Sequence, residues 1–157
     1  MNTTMLRTAL TIAFMVGVVT ATASAQERKL TRAQLPPAVE KTVAAESQGA
    51  TIKGFATEVE KGKRLYEAEL EINGRSKDIS MDRNGKIVEV EEEVTMDSLS
   101  ASVQDALKAA AGKGTIGKIE SLTKNGTLVA YEAQVTTGKK RSEIQVGPNG
   151  EKLKRAQ

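Results

Sequence analysis

Apolar residues recur every four positions in two segments of the chain, which predicts two amphipathic helices. The stripes are Leu35, Val39 and Val43 in the first segment and Leu99, Val103 and Leu107 in the second. Pro36 and Pro37 suit the first turn of a helix, where a missing N–H is tolerated. Asp97, Ser98 and Ser100 offer N-cap oxygens to the second helix. Each predicted helix therefore has one apolar side to bury.

The segment that follows each stripe alternates with a period of two, which predicts strands. In the first segment Tyr66, Ala68, Leu70 and Ile72 share one face, and Glu67, Glu69 and Glu71 share the other; in the second, Val129, Tyr131, Ala133 and Val135 repeat the apolar face. Asn73-Gly74 is a strong signal for a two-residue hairpin. The alternation is typical of an antiparallel sheet with one covered and one solvated face.

The two segments form an internal repeat. Leu35–Val39 lies 64 residues before Leu99–Val103, and after a one-residue shift Tyr66–Leu70 aligns with Tyr131–Val135. We therefore predict an α+β fold of two tandem modules, each with one α-helix packed on an antiparallel sheet of three or four strands. The modules are predicted to span residues 26–94 and 95–157, with Glu91–Thr95 connecting them.

The N-terminus has the pattern of a cleaved secretory signal. Arg7 precedes an apolar run from Ala9 to Val19, and Ala23-Ser24-Ala25 is an A-x-A cleavage site. The run is shorter than the about 20 residues that span a bilayer. We predict a signal peptide at residues 1–25, a periplasmic or secreted protein beginning at Gln26, and no stable membrane anchor after cleavage.

Composition argues against several classes of function. The chain has no Cys, His or Trp, and its net charge is only +3. A nucleic-acid-binding surface usually shows concentrated basic residues with stacking aromatics, so no nucleic-acid partner is predicted. Charge is instead divided between the repeats, with net −4 from Leu35 to Val94 and net +4 from Thr95 to Gln157. Either this is drift of solvated surfaces, or it is a polarity that orients a partner or favours head-to-tail self-association.

The candidate chemistry is sparse. Without His or Cys, a nucleophilic Ser would need a Lys base, and no G-x-S-x-G pattern occurs. Two of the residues Glu67, Glu69 and Glu71 could serve as the paired carboxylates of a glycosidase. Such a pair requires that one of the two carboxyl groups lies in a cleft and has a raised pKa. Asp82–Gly85 starts like a calcium loop but lacks its later ligands, so a turn is favoured. Asn125-Gly126-Thr127 is formally a glycosylation acceptor, and the turn alone explains it. We predict no catalytic residues, no metal ligands and no cofactor.

The order of helix, Tyr-Glu-Ala strand, hairpin and Asp-x-x-Gly-Lys-Ile turn resembles the PepSY domain family. It is most similar to the tandem periplasmic PepSY-like branch, which is grouped with beta-lactamase-inhibitor-like folds. The residues that carry the resemblance are Leu35, Val39, Gly62, Tyr66–Leu70 and Asp82–Ile87, then Leu99, Val103, Gly126, Tyr131–Val135 and Asn149-Gly150. The last turn of the second copy departs from the pattern, with Gly147 and Glu151 where the first copy has Asp82 and Lys86. The cysteines of secreted beta-lactamase inhibitors are missing.

The resemblance implies a non-catalytic module outside the cytoplasm, of the kind found in propeptides of thermolysin-type peptidases and proposed to restrain peptidases. We therefore predict an exported binding module that is not an enzyme and that engages a protein, such as a peptidase, through its solvated sheet face and strand edges. The predicted partner-facing residues are Glu67, Glu69, Glu71, Glu132 and Gln134. The alternative is an envelope protein that binds a small ligand or a divalent cation through Glu89–Glu93.

Overall fold

The strands of this protein form one continuous antiparallel sheet. The structure is a computed structural model that describes residues 27–60, 62–154 and 156–157. The predicted signal peptide at residues 1–25 therefore lies outside the described residues. Eight strands follow each other in chain order across the sheet. They are β1 Arg28–Lys29, β2 Thr51–Glu60, β3 Lys63–Ile72, β4 Arg75–Met81, β5 Ile87–Val94, β6 Thr115–Lys124, β7 Thr127–Thr137 and β8 Lys140–Val146.

The prediction of two tandem helix-on-sheet modules is wrong, because the sheet does not break between the repeats. Strand β5 pairs with β4 on one side and with β6 on the other. Glu91–Val94, which we expected to be a connection, belongs to that strand. The hydrogen bonds of the sheet therefore run from the first half of the chain into the second, and the described residues are mostly β structure with two α-helices.

The two helices pack on the same kind of apolar surface in each half. Helix α1 spans Pro37–Glu46 and helix α2 spans Ala101–Ala111; short 3-10 turns at Arg32–Gln34 and Met96–Ser98 precede them. All six predicted stripe residues are buried. The first stripe packs with Phe55, Ala68, Leu70, Ile79 and Met81, and the second with Ile119, Ala133 and Val146. The helical stripes and the apolar sheet face are thus confirmed.

Local turn chemistry also follows the sequence. Asn73 and Gly74 join β3 to β4 with positive φ angles of 53° and 77°, the conformation that Asn-Gly hairpins require. At the next turn the Thr42 hydroxyl donates to the Gly85 carbonyl oxygen at 2.8 Å. Gly85 has a φ of +76°, and a Cβ there would collide with the Ala38 carbonyl. Glycine at this turn therefore lets the β4–β5 connection lie directly against α1.

Candidate functional site

The sheet face opposite the helices carries a dense array of carboxylates. Cross-strand partners place their side chains on the same face, so the registers define this surface strand by strand. Glu69 is opposite Asp78, Asp78 is opposite Glu91, and Glu120 is opposite both Glu93 and Glu132. We call this surface the acidic face. Its acidic residues are Glu58, Glu67, Glu69, Glu71, Asp78, Glu89, Glu91, Glu93, Glu120, Glu132 and Glu143.

Three of these carboxylates converge near the middle of the sheet. Asp78 on β4, Glu91 on β5 and Glu120 on β6 each place an oxygen within 4.8 Å of the other two. Asp78 and Glu91 are half-buried and Glu120 is buried. Three acidic groups this close repel each other strongly when all are ionised, so the cluster favours a proton or a cation beside it.

Two lysines offset part of this charge. Lys118 Nζ lies 2.7 Å from Glu120 Oε1 and 3.5 Å from the Ser76 hydroxyl. Lys124 Nζ lies 2.7 Å from Glu89 Oε2. Burial lowers the pKa of Lys118, but its hydrogen bond to Glu120 and the attraction of that charge raise the pKa more. Both lysines therefore stay charged, and the acidic residues still outnumber them on this face.

A carboxylate also links β4 and β5 by a hydrogen bond. The β4–β5 register runs from Met81 to Lys77. Beyond it, the Ser76 backbone N–H donates to Glu93 Oε2 at 3.1 Å. A side chain thus continues the connection between the strands after the ladder ends, next to Lys118 and Glu120. This network keeps the carboxylates of β5 and β6 in place.

Burial and mutual repulsion raise several pKa values on the acidic face. Burial, followed by the charges of Asp78, Glu27 and other acids, raises the pKa of Glu67 to about 7. Burial, followed by the charges of Glu120, Glu89 and others, raises the pKa of Glu91 to about 8. The pKa of Asp78 and that of Glu132 are raised as well, in each case chiefly by burial. Ionisation of Glu67 and Glu91 at neutral pH is therefore unfavourable without a compensating positive charge.

The five residues predicted to face a partner all lie on the acidic face. Glu67, Glu69 and Glu71 lie on β3, and Glu132 and Gln134 lie on β7, with β4, β5 and β6 between the two groups. The β3 residues line an open depression of about 330 Å³ together with Ser76 and Asp78. The partner-facing role of the five residues stays a prediction.

Sequence reasoning missed the central part of the face. Asp78, Glu120 and Lys118 were not singled out, because their proximity to Glu91 depends on the pairing of β4, β5 and β6. The acidic stretch Glu89–Glu93 is divided by the strand geometry. Glu89, Glu91 and Glu93 point to the acidic face, whereas Glu92 is exposed on the helix side. Alternation along β5 is the signal that could have found this arrangement.

The fold is similar to solved structures of bacterial proteins. A DUF2874 family protein from Bacteroides ovatus is 19% identical with a TM-score of 0.60, and the match covers 76% of this chain and 85% of that one. A Bacteroides eggerthii protein provisionally described as periplasmic is 20% identical with a TM-score of 0.61, covering 74% and 84%. A BLIP-like protein from Bacteroides fragilis is 22% identical with a TM-score of 0.53, covering 72% and 79%.

These likenesses show the fold alone, since all three identities are low. The resemblance to beta-lactamase-inhibitor-like folds is supported at this level, because one of the similar structures is BLIP-like. No protein-family model matches the chain, and no curated protein sequence is significantly similar to it. Neither helix in the part of the chain that the structure describes is long and apolar enough to cross a membrane.

Proposed function

We propose that this protein is an exported, non-catalytic module that binds a protein partner through its acidic face. The observation that carries the proposal is the array of carboxylates on one sheet face, which the two helices leave uncovered. Asp78, Glu91 and Glu120 form its centre, and Glu67 and Glu132 flank it on β3 and β7. Such a surface is suited to a partner whose contact surface carries Lys and Arg residues.

The raised pKa values give this proposal its energetic argument. Glu67 and Glu91 resist ionisation because they are partly desolvated among like charges. A basic partner would remove that repulsion and would supply hydrogen bonds to charged acceptors, which are stronger than neutral ones. The free protein therefore retains an unfavourable charge arrangement that association would relieve.

The location and the class of partner extend the same proposal. A periplasmic or secreted location is supported by the signal pattern at residues 1–25 and by the descriptions of similar structures as DUF2874 family or periplasmic proteins. A peptidase is the partner class suggested by the PepSY resemblance, and the BLIP-like neighbour fits a protein-binding role. In this proposal the protein restrains its partner by contact, without chemistry of its own.

The direct test compares two variants with the same number of acid-to-amide substitutions. One carries Glu67→Gln, Glu91→Gln and Glu132→Gln on the acidic face. The control carries Glu92→Gln, Asp97→Asn and Asp105→Asn, three acids that lie away from that face. Proteins from the periplasmic or secreted fraction are captured on each immobilised variant and identified by mass spectrometry.

We expect a basic partner that is retained by the native chain and the control but lost from the acidic-face variant. The purified partner, if it is a peptidase, should then be slowed by the native chain and the control alone. Equal retention by all three chains would show that the acidic face does not bind. Hydrolytic activity of the native chain on its own would contradict the non-catalytic part of the proposal.

A second candidate function is binding of a divalent cation at Asp78, Glu91 and Glu120. The spacing of these carboxylates favours it, since hard cations such as Ca²⁺ take several oxygen ligands. Calorimetry with Ca²⁺ and Mg²⁺ on the native chain and on Glu91→Gln tests it. Binding heat and a rise in Tm in the native chain, both lost in Glu91→Gln, are expected. Heat that persists in the variant would place any cation elsewhere.

A further inference from the structure

The outer edge of β8 is uncovered where the equivalent edge in the first half is covered. β4 and β8 occupy corresponding places, each following the long strand that carries the Tyr-Glu-Ala motif. β5 pairs with the outer side of β4, so Ser76, Lys77 and Asp78 are half-buried. Among the described residues no strand pairs with the outer side of β8, and Arg141, Ser142 and Glu143 are all exposed.

At the opposite edge of the sheet, a short strand covers part of β2. β1 pairs with β2 at Ala56 and Thr57, and the Leu30 N–H donates to the Phe55 carbonyl oxygen at 2.8 Å. A short covering strand of this kind is a common way to prevent further pairing at an edge. β8 is longer, with seven residues, and no strand of the described part of the chain covers its outer edge.

The backbone of β8 identifies the residues that offer hydrogen bonds outward. The Gly147 N–H donates to the Glu151 carbonyl oxygen in the turn beyond the strand, so Gly147 points away from β7. Because alternate residues of an antiparallel strand direct their N–H and C=O groups to opposite sides, Arg141, Glu143 and Gln145 point outward too. Gln145 already accepts a hydrogen bond from the Gln157 N–H through its side chain. Arg141 and Glu143 remain as the exposed outward-pointing pair.

These two residues are self-complementary when β8 meets a second β8 in antiparallel orientation. With Ser142 opposite Ser142 of the second copy, each Arg141 lies opposite a Glu143. Both members of this pair point outward, so they form the hydrogen-bonded pairs of the new ladder, while their opposite charges lie side by side on the acidic face. If one strand is shifted by two residues from this register, Arg141 lies opposite Arg141 of the second copy, or Glu143 lies opposite Glu143 of the second copy. Charge therefore selects one register.

We propose that two copies of this chain associate edge to edge through β8, in the register centred on Ser142, to form one continuous sheet across both copies. The interface is isologous, as a twofold dimer requires. The exposed edge supplies main-chain pairing and the Arg141–Glu143 pairs supply specificity. The acidic faces of both copies then lie on the same side of one sheet. The rival interpretation is that Lys140, Arg141 and Glu143 are edge charges that keep the chain monomeric.

Charge reversal separates these interpretations. Sedimentation equilibrium of the native chain should show a concentration-dependent dimer. Arg141→Glu places four acidic groups at the interface, and Glu143→Arg places four basic ones, so we expect each single variant to dissociate at least tenfold more readily. The double variant Arg141→Glu with Glu143→Arg restores both pairs with their signs exchanged, and should dimerise like the native chain. Circular dichroism checks that every variant is folded.

Mixing the two single variants gives a sharper result. In the mixture the two acidic side chains of the Arg141→Glu chain face the two basic side chains of the Glu143→Arg chain. A heterodimer should therefore form from two chains that are monomeric alone. A native chain that stays monomeric at every concentration overturns the proposal. So does a native dimer whose strength is unchanged by both single reversals, since that dimer uses another surface.

A cysteine substitution tests the register itself. The chain has no cysteine, so Ser142→Cys introduces a single thiol that faces its own copy in a non-hydrogen-bonded pair. Cα atoms in such pairs are about 4.5 Å apart, within the range for a disulfide. Lys140→Cys is the control, because residue 140 faces residue 144 and the two thiols start about 14 Å apart along the strands. Mild oxidation should cross-link the first variant rapidly and the second slowly; equal rates would exclude this register.

Discussion

Lys124 Nζ and Glu89 Oε2 lie 2.7 Å apart at the junction of β5 and β6, where the two halves of the chain meet. The two residues are directly opposite each other in the strand register. Their side chains are 25% and 22% exposed. This pair is therefore better shielded from water than an ordinary surface ion pair, and it joins the halves on the acidic face.

We expect Lys124→Gln to lower the free energy of unfolding by about 1 kcal/mol, at the upper end for exposed pairs. The loss also leaves Glu89 unpaired beside Glu91 and Glu58. Lys53→Gln is the control, because Lys53 and Glu71 are 3.4 Å apart with side chains 51% and 44% exposed. Urea unfolding at low and high salt measures both. If Lys53→Gln lowers the free energy of unfolding as much as Lys124→Gln does, the position of an ion pair on the sheet does not affect its contribution.

The acidic face predicts how stability depends on pH. Glu67 and Glu91 have pKa values of about 7 and about 8 in the folded protein, above the ordinary value of 4.5. The folded state therefore binds these protons more tightly than the unfolded state does. Their contribution to stability is fully present below pH 4.5 and is lost as the pH rises through 7 and 8.

Glu91→Gln should remove part of this dependence, because the amide stays neutral. We expect the variant to be more stable than the native chain by about 1 kcal/mol at about pH 9, after allowance for the exposed part of the side chain. Near pH 4 the two chains should differ little. Urea unfolding across this pH range is the measurement. A variant that is less stable at high pH would mean that ionised Glu91 has a favourable partner.

The close contact at Gly85 gives a prediction about packing. A Cβ at this residue would collide with the Ala38 carbonyl and lie 2.8 Å from the Thr42 hydroxyl oxygen. We expect Gly85→Ala to cost about 2–3 kcal/mol, from the positive φ and from displacement of α1. Gly74→Ala is the matched control, with a φ of +77° and no atom within 4 Å of its Cβ. It should cost about 1 kcal/mol from backbone conformation alone. If Gly85→Ala and Gly74→Ala lower the free energy of unfolding equally, α1 can move away from the new Cβ without an energetic cost.

Much of the local structure could be predicted from the sequence because it depends on neighbours along the chain. The stripe Leu99, Val103 and Leu107 and the Asn73-Gly74 turn are decided by spacing and by backbone conformation. Spacing within each repeat leaves open whether the two halves share one sheet, and the pairing of β5 decides it. There Val88, Val90 and Val94 alternate with Glu89, Glu91 and Glu93, which is a strand pattern. Its run of glutamates, poor strand formers, made it resemble a solvated connection.

The candidate site was only partly predictable for a related reason. Glu67, Glu69 and Glu71 could be assigned to one face from alternation within a single strand. Asp78, Glu91 and Glu120 belong to three strands, and their meeting depends on cross-strand register. The raised pKa values depend in turn on that meeting and on burial, neither of which is a property of the sequence alone.

A continuous sheet predicts that the two halves unfold together. β5 is bonded to both halves, and its Val90 packs against the first apolar cluster while Val94 packs against the second. Loss of either cluster therefore removes support from the strand that the other one needs. We expect one cooperative transition, with equal calorimetric and van't Hoff enthalpies.

The two tyrosines allow each half to be followed by itself, because the chain has no tryptophan. Tyr66 packs at the first cluster and Tyr131 at the second. In the Tyr131→Phe variant, Tyr66 alone reports on the first half. In the Tyr66→Phe variant, Tyr131 alone reports on the second half. In both backgrounds Leu107→Ala should destabilise the protein by about 2–5 kcal/mol, since Leu107 is fully buried in the second cluster. The midpoint reported by Tyr66 should fall as far as that reported by Tyr131. A shift confined to Tyr131 would show that the halves unfold separately despite the shared sheet.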